Sequence, residues 1–255
     1  MAQGTTFPLG IDIGGSGIKG APVDLAAGAF ADDRVRIPTP EHSTPEAVIE
    51  VVAEIADRFR KVSGDSPMGV TIPGVVTHGV VRSAANIDQG WLDFDARAAL
   101  SARLGRPVTV LNDADAAGVA ELRYGAARDV QGTVLVATLG TGIGTVLLVD
   151  GTLVPNTELG HLEIDGVDAE TRAAAAARER EELSWQDWAQ RLQRYFSHVE
   201  NLFWPDLIVV GGGVSKKAEK FLPLLQLRTP IVPAKLRNDG GIVGAARQAT
   251  DCLLY

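Results

Sequence analysis

The sequence predicts an α/β protein of two lobes, each a mixed sheet with helices, with a cleft between the lobes. Strand and helix patterns alternate in the same order in both halves of the chain. A glycine-rich turn joins two strand-like runs in each half, at residues 14–20 and 140–144. Asn112 and Asp113 follow a buried strand, where α/β sheets place their ligands. We expect a first lobe of residues 1–112 plus about 240–255, and a second of 113–239.

Composition narrows the class of protein. The 255 residues are 45% apolar, enough for a sizeable core, and the net charge of −8 disfavours a nucleic-acid surface. The single cysteine, Cys252, excludes a disulfide framework and a cysteine-rich zinc site, and it favours a reducing cytoplasm. The sequence shows no signal peptide and no apolar run long enough to cross a membrane.

In the first half, the alternation of Leu9, Ile11 and Ile13 predicts a strand that delivers Asp12 to the first turn. Ser43-Thr44-Pro45-Glu46 predicts a capping box, before an amphipathic helix that continues to Val62. The other predicted elements are strands at 18–25, 35–38, 69–72 and 107–111, and helices at 95–104 and 114–124.

In the second half, strands at 133–139 and 143–149 flank the second glycine turn, and Asp150-Gly151 predicts a hairpin. An alanine-rich helix is expected from Ala169 to Glu182. Ser184 caps the next helix, whose apolar stripe from Trp185 onward is expected to be core. A buried strand at 207–210 leads to Gly211-Gly212-Gly213, and a helix at about 241–249 closes the chain.

The two glycine turns suggest a phosphate chain held from two sides, because glycine lets backbone N–H groups approach an anion closely. The first turn matches G-x-G-x-x-G from Gly15 to Gly20, but a dinucleotide-binding fold needs a helix next, and Pro22 argues against one. A P-loop needs Gly-Lys-Ser/Thr, which neither turn contains. Two ordinary glycine hairpins remain the alternative.

Carboxylates beside these turns suit phosphoryl transfer, which needs charge neutralisation and a group that takes a hydroxyl proton. Asp12 is a candidate to hold Mg²⁺ through water, and Lys19 a candidate phosphate contact. Asp113 is the candidate general base, with Asn112 beside it to bind a hydroxyl. The alternative is that Asn112 and Asp113 only cap the following helix.

Glu158-Leu159-Gly160-His161 places a carboxylate and an imidazole on one short turn, and both groups bind sugar hydroxyls well. His161 is an improbable metal ligand, because the chain has one cysteine and no second histidine nearby.

Taken in order, Asp12 to Gly20, Asn112-Asp113, Leu139 to Gly144, Glu158 to His161 and Gly211 to Val214 resemble the ROK family of sugar kinases. That family belongs to the actin-like, Hsp70-like phosphotransferase superfamily, and the resemblance covers nearly the whole chain. It implies that Asp113 is the general base, taking the proton from the sugar O6. The sugar contacts that it implies are Gly74, Asn112, Asp113, Glu158, His161 and Glu170.

The resemblance also implies a donor site. The phosphate-binding residues would be Asp12, Gly14, Gly15, Ser16, Gly17 and Lys19 in the first turn, and Gly140, Thr141 and Gly142 in the second. The residues beside the nucleotide or polyphosphate would be Gly211, Gly212, Gly213, Ser215, Lys216 and Lys217.

The chain departs from most of the family after His161, where Leu162 to Asp168 replaces a cysteine-rich zinc loop, so we expect no zinc site. This zinc-free pattern, with Ser215-Lys216-Lys217, resembles the branch that phosphorylates glucose from inorganic polyphosphate and often from ATP, with Mg²⁺. Lys216, Lys217, Lys220, Lys235 and Arg237 would form a basic track for the polymer. A solvated helix face is the alternative for 216–220.

The resemblance further implies a homodimer. We expect no DNA-binding domain of the kind found in the family's repressors, because the first strand begins near Phe7. Two other functions stay open. One is a ROK hexokinase that uses only ATP. The other, from a different class, is a non-catalytic sugar sensor, which would retain Glu158 and His161 but would not need Asp113 or intact glycine turns.

Overall fold

The computed structural model of the protein describes residues 6–84 and 87–251, so Cys252 lies outside the described residues. The chain divides into two compact units, one of Met1–Ala120 with Asp239–Tyr255 and one of Glu121–Asn238. The lobe boundaries expected from the sequence stay a prediction. Within the described residues, no helix combines the length and the apolar character that crossing a membrane requires.

The first unit contains a six-stranded sheet, a small two-stranded sheet and five α-helices among its described residues. Its strands are β1 Leu9–Gly14, β2 Gly17–Asp24, β3 Ala29–Phe30, β4 Val35–Ile37, β5 Met68–Ile72, β6 Val76–Thr77, β7 Val80–Val81 and β8 Val108–Asn112. Its helices are α1 Pro45–Arg58, α2 Arg60–Ser63, α3 Ala96–Leu104, α4 Asp113–Tyr124, which extends past the unit's boundary, and α8 Gly240–Asp251.

The main sheet of the first unit has the order β3-β2-β1-β5-β8, with β4 also paired to β2. The pairs β1–β5 and β5–β8 are parallel, whereas β1–β2 is antiparallel. Because parallel strands end at the same edge of a sheet, β5 and β8 bring Pro73-Gly74 and Asn112-Asp113 to one edge. Register supports this, since Ile72 pairs with Asn112.

The strand β1 shows how alternation positions the chemistry. Leu9, Ile11 and Ile13 are buried in one apolar cluster with residues of α1, so they form one face of the strand. Gly10 lies on the other face, where an added Cβ would overlap the Ile242 carbonyl of α8. Asp12 shares the face of Gly10 and lies close to Gly241 in the first turn of α8. One strand therefore contributes core on one side and a carboxylate at a helix N-terminus on the other.

The second unit contains a five-stranded sheet and a two-stranded hairpin. Its strands are β9 Thr133–Leu139, β10 Ile143–Val149, β11 Thr152–Thr157, β12 Glu163–Ile164, β13 Val167–Asp168, β14 Leu207–Gly211 and β15 Ile231–Pro233. Its helices are α5 Glu170–Ala173, α6 Ala175–Arg180 and α7 Trp185–Phe203.

The five-stranded sheet repeats the topology of the first unit. Its order is β11-β10-β9-β14-β15, with β9–β10 and β10–β11 antiparallel and β9–β14 and β14–β15 parallel. The buried stripe of α7, which includes Trp188, Leu192 and Phe196, packs in one cluster with Leu135 and Leu139 of β9. The repeated element order in the sequence is thus a repeated sheet topology.

Most elements expected from the sequence are confirmed, with three differences. The expected alanine-rich helix from Ala169 to Glu182 is interrupted, because Ala174 is extended (ψ 157°) and separates α5 from α6. The N-cap of α1 is Thr44, whose side chain accepts from the Ala47 amide, so Glu46 closes no capping box. The same helix ends at Arg58, and a separate short helix carries the chain past Val62.

Candidate functional site

The first glycine turn differs from an ordinary glycine hairpin. Gly15 and Ser16 connect β1 to β2, and Gly14 pairs with Gly17 across the turn. Neither Gly15 nor Ser16 has a positive φ. The favoured two-residue hairpin turns do need positive φ, as at Asp150 and Gly151, where φ is 47° and 75°. The first turn is therefore not shaped by the usual geometry of a tight hairpin.

Three glycines of the candidate phosphate and nucleotide segments are not required by the fold. A Cβ added at Gly15, Gly140 or Gly213 would meet no atom of the described residues within 4 Å. None of the three has a positive φ. Neither backbone conformation nor packing therefore explains glycine at these positions. An uncovered backbone does suit the close approach of a ligand.

Asp12 lies beside the first turn and has two partners in the first unit. Its Oδ1 accepts a hydrogen bond from the Thr71 hydroxyl at 2.9 Å, and its Oδ2 lies 3.6 Å from Lys19 Nζ. Its side chain is 18% exposed. The longer contact leaves Oδ2 able to accept from a water on a metal ion. Mg²⁺, which keeps several waters and takes few carboxylates, fits this donor set.

The carbonyl groups of the first turn are held by side chains. The Arg36 guanidinium donates to the Ser16 carbonyl at 2.5 Å, and the Thr39 hydroxyl donates to the Gly14 carbonyl. A small cavity of about 80 Å³ lies beside Gly14, Gly15 and Pro73. The turn is thus tied to neighbouring side chains through its oxygen atoms.

Asn112 caps α4, as the alternative interpretation expected. Its Oδ1 accepts from the amides of Ala114 at 2.8 Å and Asp115 at 3.0 Å, and its Nδ2 donates to the Gly74 carbonyl at 2.9 Å. An amide nitrogen carries a second hydrogen, so this cap still has one donor to offer. Asn112 and Gly74, both expected sugar contacts, are therefore joined in the structure.

Asp113 begins α4 and is partly buried. Its Oδ1 accepts from the Ala114 amide at 2.9 Å. Negative charge is favourable in the first turn of a helix. The carboxylate therefore lies at the carboxyl edge of the sheet, in the first turn of a helix.

In the second unit, Glu158, His161 and Glu170 lie together, joined by Asp168. His161 Nδ1 lies 2.8 Å from Asp168 Oδ2 and 4.0 Å from Glu170 Oε1. His161 Nε2 lies 3.8 Å from Glu158 Oε2, farther than a hydrogen bond. A sugar hydroxyl fits such an arrangement, because it donates to a carboxylate and accepts from an imidazole N–H.

The pKa values in this cluster follow from its contacts. The hydrogen bond to Asp168 is the main cause that raises the pKa of His161 above its ordinary value, and nearby Glu170 and Glu158 add to it. Burial raises the pKa of Glu158, against the lowering effect of His161. Glu158 therefore becomes protonated at a higher pH than an exposed glutamate. Once protonated, it can no longer accept hydrogen bonds through both oxygens.

The same cluster is relevant to metal binding. One ligand atom each from His161, Asp168 and Glu170 lies within 4.8 Å of the others, the spacing of a possible metal site. Structural zinc sites usually have four ligands, rich in cysteine and histidine, and this group offers one histidine and two carboxylates. The absence of zinc stays a prediction, which metal analysis of the purified protein tests.

The second glycine turn forms part of its backbone hydrogen bonding within itself. The Gly140 amide donates to the Gly142 carbonyl at 3.0 Å, so it is engaged inside the turn. The amides of Thr141 and Gly142 have no acceptor among the described residues. Glu170 packs against this turn, because its Oε2 accepts from the Ile143 amide at 2.9 Å. One carboxylate thus links the cluster around His161 to the second turn.

The segment after β14 lies beside the second turn. Gly211 pairs with Thr138 at the end of the sheet, and Gly212, with φ 81°, packs directly on the Leu139 backbone. The Ser215 hydroxyl donates to the Gly212 carbonyl at 2.8 Å, inside a 3₁₀ helix over Gly213–Lys220. A cavity of about 320 Å³ lies where the segments meet, and its lining includes Gly140, Thr141, Gly213, Lys217, Arg178 and Trp185.

Several residues around these sites could not be selected as candidates from the sequence. The structure adds Thr71, Arg36, Asp168 and Arg178 to the candidate residues, and it places Trp185, expected in the core, at the cavity wall. Each reaches its partner from a distant segment or across a turn. The nearest sequence signal is the acidic pair Asp168 and Glu170, two residues apart beside a predicted sugar motif.

Residues 8–174 match the ROK family model, and the chain belongs to the ROK family. The expected fold class is confirmed, since solved structures of ROK sugar kinases share this α/β fold. A glucokinase from Streptomyces griseus, solved with glucose and AMPPNP, has a TM-score of 0.81 at 22% identity. That alignment covers 96% of this chain and 99% of the other, and it supports the fold alone.

Two more similar relatives are named for polyphosphate. The chain is 52% identical over 239 residues to a polyphosphate glucokinase of Mycobacterium tuberculosis (strain CDC 1551 / Oshkosh), covering 93% of this chain and 89% of the relative. The crystal structure of an inorganic polyphosphate/ATP-glucomannokinase from Arthrobacter sp. strain KM has a TM-score of 0.93 at 59% identity. It covers 98% of this chain, and all of that chain is matched.

Proposed function

We propose that this chain is a glucokinase that transfers a phosphoryl group from inorganic polyphosphate, and also from ATP, to the 6-hydroxyl of glucose. The observation that carries the proposal is sequence identity of 52% to a polyphosphate glucokinase and 59% to an inorganic polyphosphate/ATP-glucomannokinase, over nearly the whole chain. A separate argument comes from the site, where the fold leaves glycine unexplained except by a ligand.

Asp113 is the general base of the proposed reaction. Its carboxylate takes the proton from the sugar O6, and O6 forms a bond to the terminal phosphorus as the bridging P–O bond of the donor breaks. The electron pair of that bond stays on the shortened donor. Asn112 keeps α4 capped and offers its second amide hydrogen to the sugar, beside Gly74.

Glu158, His161 and Glu170 bind further sugar hydroxyls. Asp168 orients the imidazole through Nδ1, so that Nε2 is directed to the ligand. Glu170 also fixes the second glycine turn through the Ile143 amide. Sugar binding and the conformation of a phosphate-binding turn are therefore coupled through one carboxylate.

The two glycine turns and Lys19 hold the phosphate groups that react. The first turn contributes Gly14, Gly15, Ser16 and Gly17, and the second contributes Gly140, Thr141 and Gly142. Asp12 would hold Mg²⁺ through water. When bound, Mg²⁺ neutralises charge on the transferring phosphoryl group and orients it. Gly211, Gly212, Gly213, Ser215, Lys216 and Lys217 lie along the donor beyond these turns.

The decisive experiment compares donors. Purified protein is given glucose with inorganic polyphosphate, or with ATP, at the same Mg²⁺ concentration, and glucose 6-phosphate is measured. We expect product with both donors and none without Mg²⁺. Product from ATP alone would instead identify a strictly ATP-dependent hexokinase. Glucose binding without any phosphorylation would identify a sugar sensor. Mannose as a second acceptor tests how closely the sugar site follows the Arthrobacter relative.

Two further properties belong to this proposal. The protein is expected to act as a homodimer, which light scattering of the purified chain measures. A reducing cytoplasm is the proposed compartment, in keeping with a single cysteine.

A further inference from the structure

Arg178 and Trp185 form a stacked pair on the wall of the second-unit cavity. The Arg178 guanidinium carbon lies 3.7 Å from the centroid of the Trp185 ring. Trp185 is itself held in place, because its ring stacks with Phe221 at an interplanar angle of 12° and meets the edge of Trp188. A cation over an indole face is a favourable pair, and here the indole is also packed against two other aromatic rings.

Two lysines approach the same ring. Lys217 Nζ lies 5.9 Å and Lys220 Nζ 5.7 Å from the Trp185 centroid. Arg178, Trp185, Lys217 and Lys220 are called the Arg178–Trp185 shelf below. The shelf gathers three positive charges in a chain with a net charge of −8. Glu179 is the one carboxylate that lines the same cavity among the described residues.

Arg178 also has an unused donor. Its Nε is buried and has no hydrogen-bond partner among the described residues. A buried guanidinium N–H without an acceptor is costly, and native structures usually provide one. The terminal guanidinium nitrogens of Arg178 also have no hydrogen-bond partner among the described residues, and a ligand in the adjoining cavity can supply their acceptor. The acceptor that a guanidinium fork recognises best is an oxyanion such as phosphate.

We propose that the Arg178–Trp185 shelf selects the phosphoryl donor, an inference that rests on the proposed function. It binds phosphate groups of polyphosphate beyond the one transferred. Adenine of ATP binds the same Trp185 face, and for this it must displace Arg178. Polyphosphate offers an oxyanion at every unit and no aromatic group, so it benefits from the cations. Adenosine is uncharged and aromatic, so it benefits from the ring.

The two donors therefore place opposite demands on Arg178. A guanidinium 3.7 Å above the indole occupies the distance at which an adenine would stack. Polyphosphate binds with Arg178 in its observed place, whereas ATP binds after Arg178 has moved. Removing the arginine side chain should weaken the use of one donor and leave the use of the other unchanged or improved.

The test is Arg178→Ala, assayed for kcat/KM with medium-chain polyphosphate and with ATP at saturating glucose. We expect the value for polyphosphate to fall by at least about tenfold, the loss of one charge-assisted contact. The value for ATP should stay within about twofold or rise, because no such contact is lost. The matched control is Arg180→Ala on the same helix, which removes an equal charge. Arg180 is exposed, and its two partners, Glu181 and the Thr171 carbonyl, do not line the cavity, so both donors should be unaffected.

A second variant keeps the test valid if Arg178→Ala does not fold, which thermal unfolding reveals. Lys217→Ala combined with Lys220→Ala changes exposed side chains, and it should reduce polyphosphate use more than ATP use, most strongly at low salt. Equal losses with both donors would overturn the proposal, as would unchanged use of polyphosphate. Wild-type protein that uses ATP but not polyphosphate would instead contradict the proposed function.

Discussion

The two glycine turns occupy the same place in two sheets of the same topology, but different side chains surround them. Each turn joins the central strand of its sheet to an antiparallel neighbour. The first turn lies beside Asp12 and is held by Arg36. The second contacts Glu170 and lines a cavity that includes Arg178. A shared backbone motif therefore does not imply a shared environment.

This difference separates two kinds of chemistry. The first unit carries the carboxylates assigned to metal and base, Asp12 and Asp113. The second unit carries the cluster around His161, which is proposed to bind the sugar, and the cations of the Arg178–Trp185 shelf. We therefore expect substitutions of Asp12 and Asp113 to disturb different kinetic constants from substitutions in the cluster around His161 or in the shelf.

The largest effect is expected for Asp113→Asn. This change retains the oxygen that accepts from the Ala114 amide, so the helix start is kept while the base is lost. We expect kcat to fall by about 10³-fold, within the usual contribution of a general base, with glucose binding still measurable by calorimetry.

Its control is Asp95→Asn, the same chemical change at the N-cap of α3. That variant should be fully active. If Asp113→Asn retained normal turnover, Asp113 would be a helix cap and nothing more.

The next effect concerns the glycines that the fold does not need. In Gly140→Ala the new methyl group has no described atom within 4 Å, and the backbone at this position does not have a positive φ. The free energy of unfolding should therefore change by less than about 1 kcal/mol. The methyl group should obstruct phosphate, and the KM for either donor should rise about tenfold, the equivalent of one lost charge-assisted hydrogen bond. Gly15→Ala should behave in the same way in the first turn.

Gly151→Ala is the matched control, since it also has open space but a φ of 75°. It should destabilise the fold by about 1 kcal/mol and leave the KM for the donor unchanged. Chemical denaturation and donor kinetics on the same three variants measure both quantities. A normal donor KM in both turn variants would support ordinary glycine hairpins.

Asp12→Asn should raise the Mg²⁺ concentration for half-maximal activity by about fivefold, because a neutral amide binds a metal-bound water less strongly than a carboxylate does. The KM for glucose should stay unchanged. Asp24→Asn, at the other end of the β1–β2 pair, serves as the control. An unaltered Mg²⁺ dependence in the Asp12 variant would remove Asp12 from the metal site.

The smallest effect is expected for Asp168→Asn. The pKa of His161 should fall towards its ordinary value of 6.5 when the hydrogen bond to a carboxylate is lost, as measured by NMR titration. The KM for glucose should rise about threefold, the cost of a less well oriented imidazole.

Linkage gives the direction of the stability effect. Because the pKa of His161 is raised in the folded state, the pair with Asp168 stabilises the fold below pH of about 6.5, and that contribution is lost as the pH rises through the raised pKa. Asp165→Asn, whose carboxylate pairs with Arg194 instead, should leave the titration of His161 unaltered. An unchanged pKa of His161 in the Asp168 variant would contradict the hydrogen bond between His161 and Asp168.

Local sequence patterns were sufficient to predict most of the secondary structure. The alternation at Leu9 to Ile13, the glycine at 105 that ends α3, and the Asp150-Gly151 hairpin all act through short-range sterics and burial, which neighbouring residues encode. The break at Ala174 had no such signal, because alanine favours helix and the extended conformation there depends on surrounding contacts.

The candidate site divides along the same line. Glycine turns, Asn112-Asp113 and the Glu158–His161 turn are contiguous in the chain, so the sequence alone is enough to select them as candidates, and the roles of their residues stay predictions. The pairing of His161 with Asp168, the contact of Glu170 with the second turn, and the Arg178–Trp185 shelf depend on how separate segments pack. Composition and periodicity carry no information on such contacts, because side-chain distances are set by packing in three dimensions.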